Sequence, residues 1–289
     1  MTRMFAFLAA VLVSVLAVSS ACTAGVTDGI RFQLDAKRHS GRVHASFTGG
    51  EHRTTKWSTD FPASELQGLD VAQLRAGSTK PVRFAILRDS GRLDCAGEGG
   101  RSNASGSCSF TANADFMNFL VSRGVKRPTK SEGLAMMSLN VRRDLVEALH
   151  SARYPVPSVD DLIALSALGV DSRYVRELAQ VGYRPKTLDT LVQFKALDVT
   201  PAYIRSFVQH GYGNLPAEEL VKLKALDITG DYVAGFKAAG YPNLTPDQLT
   251  SLKALGVTPD FARAVREGSA QPPSPERLVE LKAIGFQPR

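Results

Sequence analysis

Five histidines, three cysteines and a scatter of carboxylates are the side chains from which this sequence could assemble chemistry. A zinc hydrolase of the usual kind sets two histidines one helical turn apart with a glutamate between them. His39, His44, His52, His150 and His210 offer no such spacing. His39, His44 and His52 could gather around a metal with Glu51, but isolated histidines in polar strands and loops are ordinarily just solvated. No metal site and no cofactor are therefore expected. Neither a Gly-x-Ser-x-Gly elbow, a Ser-x-x-Lys, a Walker loop nor a Gly-x-Gly-x-x-Gly occurs, and no carboxylate pair can be set face to face from spacing alone. No catalytic residue is assigned.

The cysteines say more. Cys95 and Cys108 lie within Leu93–Phe110, a stretch full of Gly and Ser, and read as a disulfide formed in an oxidising compartment. The start of the chain agrees: Arg3, then the apolar run Met4–Val18, then Ser19-Ser20-Ala21 has the layout of a secretory signal over residues 1–21. Cys22 falls at the cleavage point. Ser19-Ser20-Ala21-Cys22 resembles a bacterial lipoprotein processing site with Ser19 in place of the usual leucine, which would make Cys22 the lipidated residue. The other reading is ordinary cleavage near Ala21 or Ala24, with Cys22 a free thiol. The expected location is the periplasm or an outer-membrane anchorage, with full secretion as a variant.

The elements that would have to position any site divide the chain in two. From Ser158 to Phe286 the pattern Leu-x-x-(Leu/Phe)-x-Ala-(Leu/Ile)-(Gly/Asp)-(Val/Ile/Phe) recurs, its anchors Leu162, Leu191, Leu220, Leu249 and Leu278 each 29 residues apart. In Thr245–Gln271 the physical content of one copy is visible. Thr245-Pro246-Asp247-Gln248 is a helix start with a capping box, and Leu249, Leu252 and Leu255 share a face. Gly256 stops the helix, and Thr258-Pro259-Asp260 opens a second one carrying Phe261, Ala264 and Val265. Each unit is a hairpin of two helices too short to persist alone in water. Neighbours must share faces, which predicts an all-α solenoid over residues 131–289. A degenerate first copy runs through Leu134, Met137, Leu139, Val141, Leu145, Leu149 and Tyr154, and the last copy reads as a cap.

Residues 22–125 alternate instead. Ile30/Phe32/Leu34, Val43/Ala45/Phe47 and Val82–Leu87 read as strands, and Asp89-Ser90-Gly91 reads as a turn. Trp57–Leu69 reads as a loop with a short helical turn, Gly97-Glu98-Gly99-Gly100 as the tip of the disulfide-stapled hairpin, and Asn113–Val121 as a helix. Residues 126–130 are the expected linker. The fold class is thus α+β: a small antiparallel β domain stapled by Cys95–Cys108, followed by the solenoid.

Charge separates along the same line. Residues 28–130 hold 16 Lys/Arg against 10 Asp/Glu, a net of +6, whereas residues 131–289 hold 18 of each. A neutral solenoid argues against a nucleic-acid cradle and leaves the N-terminal domain as the place for an anionic partner such as lipid headgroups or lipopolysaccharide; the other reading of the excess is solubility alone. Within the repeats, Lys195, Lys224, Lys253 and Lys282 form one column and Tyr183, Tyr212 and Tyr241 another. Such columns can bind an extended peptide or another envelope protein. They can equally be an exposed lysine on a good helix and tyrosines sealing the junctions between units.

With the repeat Leu-x-x-Leu-Lys-Ala-Leu-Gly-Val-Thr-Pro-Asp-(Tyr/Phe) in hand, residues 131–289 resemble the helical-hairpin repeats behind membrane-embedded zinc metallopeptidases of the antirepressor, β-lactam-sensor-like class. Val82–Phe110 is similar to the β segment preceding those repeats. The peptidase's metal motif and membrane spans have no counterpart in this sequence, nor has the penicilloyl-accepting Ser-x-x-Lys of the sensors. What the resemblance implies is an extracytoplasmic sensing or interaction module without an enzyme attached. The alternative from another class is a secreted hydrolase, or metal-dependent enzyme, acting on envelope polymers through the N-terminal domain.

Overall fold

The structure is a computed structural model that describes residues 29–36, 41–49 and 55–288. The signal segment, Cys22, His39, Glu51 and His52 lie outside the described residues. Six strands, β1 (Ile30–Asp35), β2 (Arg42–Gly49), β3 (Thr55–Pro62), β4 (Lys80–Arg88), β5 (Gly91–Gly100) and β6 (Asn103–Ala112), make one antiparallel sheet in the order β3-β2-β1-β6-β5-β4. Strict alternation buries one face: Ile30, Phe32 and Leu34, Val43, Ala45 and Phe47, and Leu93, Cys95, Cys108 and Phe110 all point inward. Leu66, Leu74 of the short helix α1 (Val71–Arg75), and Leu134 and Met137 close over that face. The two sheet edges converge as well, since the Arg88 guanidinium of β4 lies 5.4 Å from the Phe61 ring centroid of β3.

Cys95 and Cys108 are register partners on β5 and β6 and form the expected disulfide, with Cα atoms 4.0 Å apart. Two expectations fail locally. The hairpin turns at Arg101-Ser102, both at positive φ, and not at Gly97–Gly100, which sit in β5. Those glycines are there for space: a Cβ on Gly99 would meet Leu74 Cδ1 at 2.7 Å, and one on Gly97 would meet the Ser105 carbonyl oxygen at 2.1 Å. Trp57 likewise belongs to a strand. Its ring stacks on its register partner Phe47 at 4.8 Å, and only that cross-strand pairing turns a weakly patterned segment into β3.

After the sheet come α2 (Ala114–Ser122), α3 (Lys130–Ser138), α4 (Arg143–Ser151), α5 (Val159–Ala167), α6 (Ser172–Gln180), α7 (Leu188–Ala196) and α8 (Pro201–Val208). They are followed by α9 (Ala217–Ala225), α10 (Gly230–Ala238), α11 (Pro246–Ala254), α12 (Pro259–Glu267) and α13 (Pro275–Ala283). Each is nine residues long except the eight-residue α8. Thr129, Ser158, Asp171, Thr187, Thr200, Thr229, Thr245, Thr258 and Ser274 each accept a hydrogen bond from the N–H three residues on. At the other end Val170, Val199, Ile228 and Val257 return their N–H to Leu165, Phe194, Leu223 and Leu252 at 2.8–2.9 Å. The residues before them, Gly169, Asp198, Asp227 and Gly256, are at positive φ. Helices pack on the next but one, α5 on α7, α7 on α9, α9 on α11 and α11 on α13, with α4, α6, α8, α10 and α12 in a parallel series. All five anchor leucines are buried, none above 1% exposure.

The two halves interlock. Phe116, Met117 and Leu120 of α2 join the core of the helical half, while Leu134 and Met137 of α3 join the core of the sheet. Residues 125–129 between them carry no regular structure. From the turn between β4 and β5, Arg88 Nη1 donates to the carbonyl oxygens of Met137 (2.6 Å) and Ser138 (3.0 Å) at the end of α3. Next to it, Asp89 Oδ2 accepts from the Arg143 N–H (2.7 Å) at the start of α4. The cation meets a helix C-terminus and the carboxylate a helix N-terminus, each sign matched to the helix dipole. Arg142, the N-cap of α4, makes no side-chain cap, so Asp89 stands in from the sheet. Asp89→Ala should lower unfolding stability by about 1 kcal/mol, measured by urea denaturation, and an unchanged midpoint would remove the capping role.

Candidate functional site

The predicted lysine column does not stand free in solvent. Lys195, Lys224 and Lys253 are half-buried, their ammonium groups 4.8, 4.9 and 5.2 Å from the ring centroids of Tyr174, Tyr203 and Tyr232. Lys282 sits 5.0 Å from that of Phe261. Each lysine is in the last turn of an odd-numbered helix, and each ring is in the first turn of the even-numbered helix before it. The contact is a cation–π pair between consecutive helices. Spacing puts those tyrosines at the apolar position that Phe261 holds in its own copy and does not reveal this use of their faces; the matching period of the two columns was the available signal.

The same rings have their hydroxyls engaged. Tyr174, Tyr203 and Tyr232 donate to the carbonyl oxygens of Val199 (2.7 Å), Ile228 (2.8 Å) and Val257 (2.8 Å), 25 residues on. The second predicted column behaves alike: Tyr183, Tyr212 and Tyr241 donate to Leu215 (3.1 Å), Leu244 and Pro273 (3.0 Å), 32 residues on. All these carbonyls lie in turns just ahead of a helix start. Burial disfavours the phenolates, pushing Tyr183 up to about 12, with Glu218 adding to the rise, and Tyr154 to about 12 against the opposing pull of Arg184. Tyr174, Tyr203 and Tyr232 are pushed higher still, again chiefly by burial.

Between α6, α7 and α8 a cleft of about 550 Å³ opens beside the column. Lys195, Arg173 and Arg205 face it together with Asp171, Asp198 and Glu177, so both signs of charge are on offer. Lys224 Nζ is 3.8 Å from a carboxylate oxygen of the exposed Asp198, a pairing that leaves the ammonium further donors.

The outward face of the sheet holds a second constellation. His44 and Asp60 are register partners on β2 and β3, and Asp60 Oδ1 accepts from His44 Nδ1 at 2.8 Å. Ser46, two residues along β2 on the same face, places its Oγ 3.4 Å from His44 Nε2. A groove of about 570 Å³ runs beside them, lined by His44, Ser46, Gln33, Asp35, Glu98 and Asn103. Sequence reading missed this set because Asp60 lay in a segment taken for a loop; without β3 nothing puts a carboxylate opposite His44. On the same face a hollow of about 780 Å³ is lined by Arg83, Arg92, Asp94, Ser107 and Ser109 among others, with Arg92 paired to Asp94 at 2.8 Å. Among the described residues no three His, Cys, Asp or Glu side chains are grouped to hold a metal, and no helix is long and apolar enough to cross a membrane. No protein-family model matches the chain, and no curated protein matches it significantly.

Two outcomes follow from the tyrosines. Tyr203→Phe leaves the Ile228 carbonyl without its donor and should cost about 1–3 kcal/mol, with Arg205→Ala on the exposed face of α8 as the near-neutral control in the same denaturation series. A raised folded-state pKa also makes stability pH-dependent. The contribution is complete below the usual tyrosine value of 10.0 and is lost as pH climbs through about 12, because the unfolded chain ionises first. Ultraviolet titration at alkaline pH should therefore show the buried phenols ionising together with loss of helical circular dichroism; ionisation near 10 in a still-folded chain would refute it.

Proposed function

We propose that this chain is an exported bacterial envelope protein whose helical half is a solenoid of 29-residue helix-turn-helix repeats, working as a non-catalytic protein-interaction or sensing scaffold. The observation that carries the reading is the lysine column. Four cations are held at one repeating pose by the rings beneath them, so their positions are set before any partner arrives. A cleft of both charge signs beside Lys195 fits an extended polar peptide or a loop of another envelope protein. The alternate-helix packing and hydrogen bonds that recur at fixed offsets support the solenoid. The resemblance to the extracytoplasmic repeats of antirepressor-type metallopeptidases fits a sensing role. Export and an anchor at Cys22 complete the proposal, with anionic headgroups as a partner for the more basic sheet.

A second reading, a hydrolase acting on envelope polymers through the N-terminal domain, draws support from one feature, the Asp60–His44–Ser46 chain. The scaffold reading is tested with a photoreactive side chain in place of Arg205, which lines the cleft. Irradiated in native envelopes, the variant should give one discrete protein adduct. Adding Lys195→Gln and Lys224→Gln should cut its yield roughly tenfold, the equivalent of about 1.4 kcal/mol, while the matching Lys→Arg pair retains it. No adduct, or equal yield in the Gln pair, ends the reading.

A further inference from the structure

Strand geometry places Asp60, His44 and Ser46 in a fixed sequence of contacts on the outward face of the sheet. An ionised carboxylate only accepts hydrogen bonds, so Asp60 Oδ1, at 2.8 Å, sets the proton of His44 on Nδ1. Nε2 is then the basic nitrogen, and it is the one that faces Ser46 Oγ at 3.4 Å. This is the order of contacts that activates a serine hydroxyl on unrelated folds: nucleophile, base, and a carboxylate that orients the base. The spacing is not accidental to the strand. Residues two apart on β2 share a face, and the register partner of the first is its neighbour across the sheet.

We propose that Ser46, His44 and Asp60 form an acyl-transfer site for short-chain esters. Ser46 Oγ adds to the ester carbonyl carbon as His44 Nε2 takes its proton. The tetrahedral adduct then expels the alcohol, which leaves with that proton, and Ser46 is acylated. Water, deprotonated by the same Nε2, cleaves the acyl-serine to free acid and restores the serine hydroxyl. Nothing is oxidised or reduced. Gln33 is the register partner of Ser46 on β1 and lines the same groove, so its side-chain amide is the group placed to donate to the developing oxyanion. The amide of Asn103, also in the groove, is already donated to the Arg101 carbonyl oxygen at 3.1 Å. Asp35 and Glu98 in the lining disfavour an anionic ester, and the polar walls suit an ester of a polar, uncharged alcohol.

This site rests on the second reading above and is independent of the scaffold; its failure leaves the lysine column untouched. The test uses the full mature chain with a fluorophosphonate probe and with p-nitrophenyl acetate. Peptide mass mapping should find the phosphonyl adduct on Ser46. Ser46→Ala should abolish the adduct, and His44→Gln should slow labelling about 100-fold or more. Asp60 acts through His44, so Asp60→Asn should slow labelling with the melting temperature unchanged, and Asp60→Glu should recover part of the rate. Ser58→Ala, at the register partner of Ser46 on β3, should label normally. Absence of adduct in the unmodified chain, adduct on another serine, or p-nitrophenyl acetate hydrolysis at full rate in Ser46→Ala overturns the proposal.

Discussion

A nine-residue helix leaves nearly as many main-chain groups outside its hydrogen-bond ladder as inside it. A protein that strings such helices one after another must supply the missing partners from elsewhere at every turn. Here the supply follows one rule. At nine of the twelve helices after the sheet a threonine, serine or aspartate takes one of the first free N–H groups. From α3 to α11 a residue at positive φ folds the last turn so that the following Val, Ile or Tyr closes the end. From α8 to α13 the carbonyl just ahead of each helix is bonded by a tyrosine from earlier in the chain. The last step is the one that reaches between hairpins, so local helix closure and long-range packing become the same event. Valines and leucines alone would hold adjacent hairpins together with little preference for register. A phenol aimed at one carbonyl fixes it.

Where the helical half has no preceding hairpin to draw on, the sheet fills the position. Arg88 and Asp89, adjacent in one β-turn, answer the end of α3 and the start of α4 with opposite charges. Burial lowers the Arg88 pKa, with Glu65 acting against that shift, yet a guanidinium remains a cation there. Arg143, whose N–H Asp89 accepts, carries its own side chain back over the Phe119 ring at 4.1 Å. The exchange of α2 into the helical core and α3 into the sheet core ties the same junction by apolar burial. The β-hairpin thus acts toward α3 and α4 as a tyrosine-bearing hairpin acts toward its successor.

Period and alternation carried most of this architecture into the sequence. Leu162, Leu191, Leu220, Leu249 and Leu278 announced helices, and Thr-Pro-Asp announced where they start. Ile30/Phe32/Leu34 announced a strand with one buried face. What stayed hidden depended on pairing. Trp57, Thr59 and Phe61 alternate with Lys56, Ser58 and Asp60, but the polar Thr59 weakens the pattern, and what settles the strand is its register along β2, with Trp57 stacked on Phe47. Gly97, Gly99 and Gly100 looked like a turn because turns are the commonest reason for glycine, yet here the reason is the close passage of β6, Leu74 and the Ser78-Thr79 backbone. The lysine column was visible as a column, but the ring beneath each lysine belongs to another helix. Only the stacking of hairpins brings them together.

That difference also sorts the polar groups by what they can still do. In the helical half the tyrosine hydroxyls of both columns are consumed by main-chain carbonyls, and the faces of Tyr174, Tyr203 and Tyr232 by lysines, so the chemistry of those residues is spent on holding helices in register. Their remaining capacity is electrostatic, an ammonium held in place with donors to spare. On the sheet the ladder between β2 and β3 is made by the backbones, and side chains on their outward row hydrogen-bond among themselves. Asp60, His44 and Ser46 do so in an order that polarises a hydroxyl rather than merely satisfying it. Two half-domains built from one chain thus arrive at different kinds of surface. One spends its side chains on closing the backbone between helices, the other keeps an outward row of side chains that bond to one another.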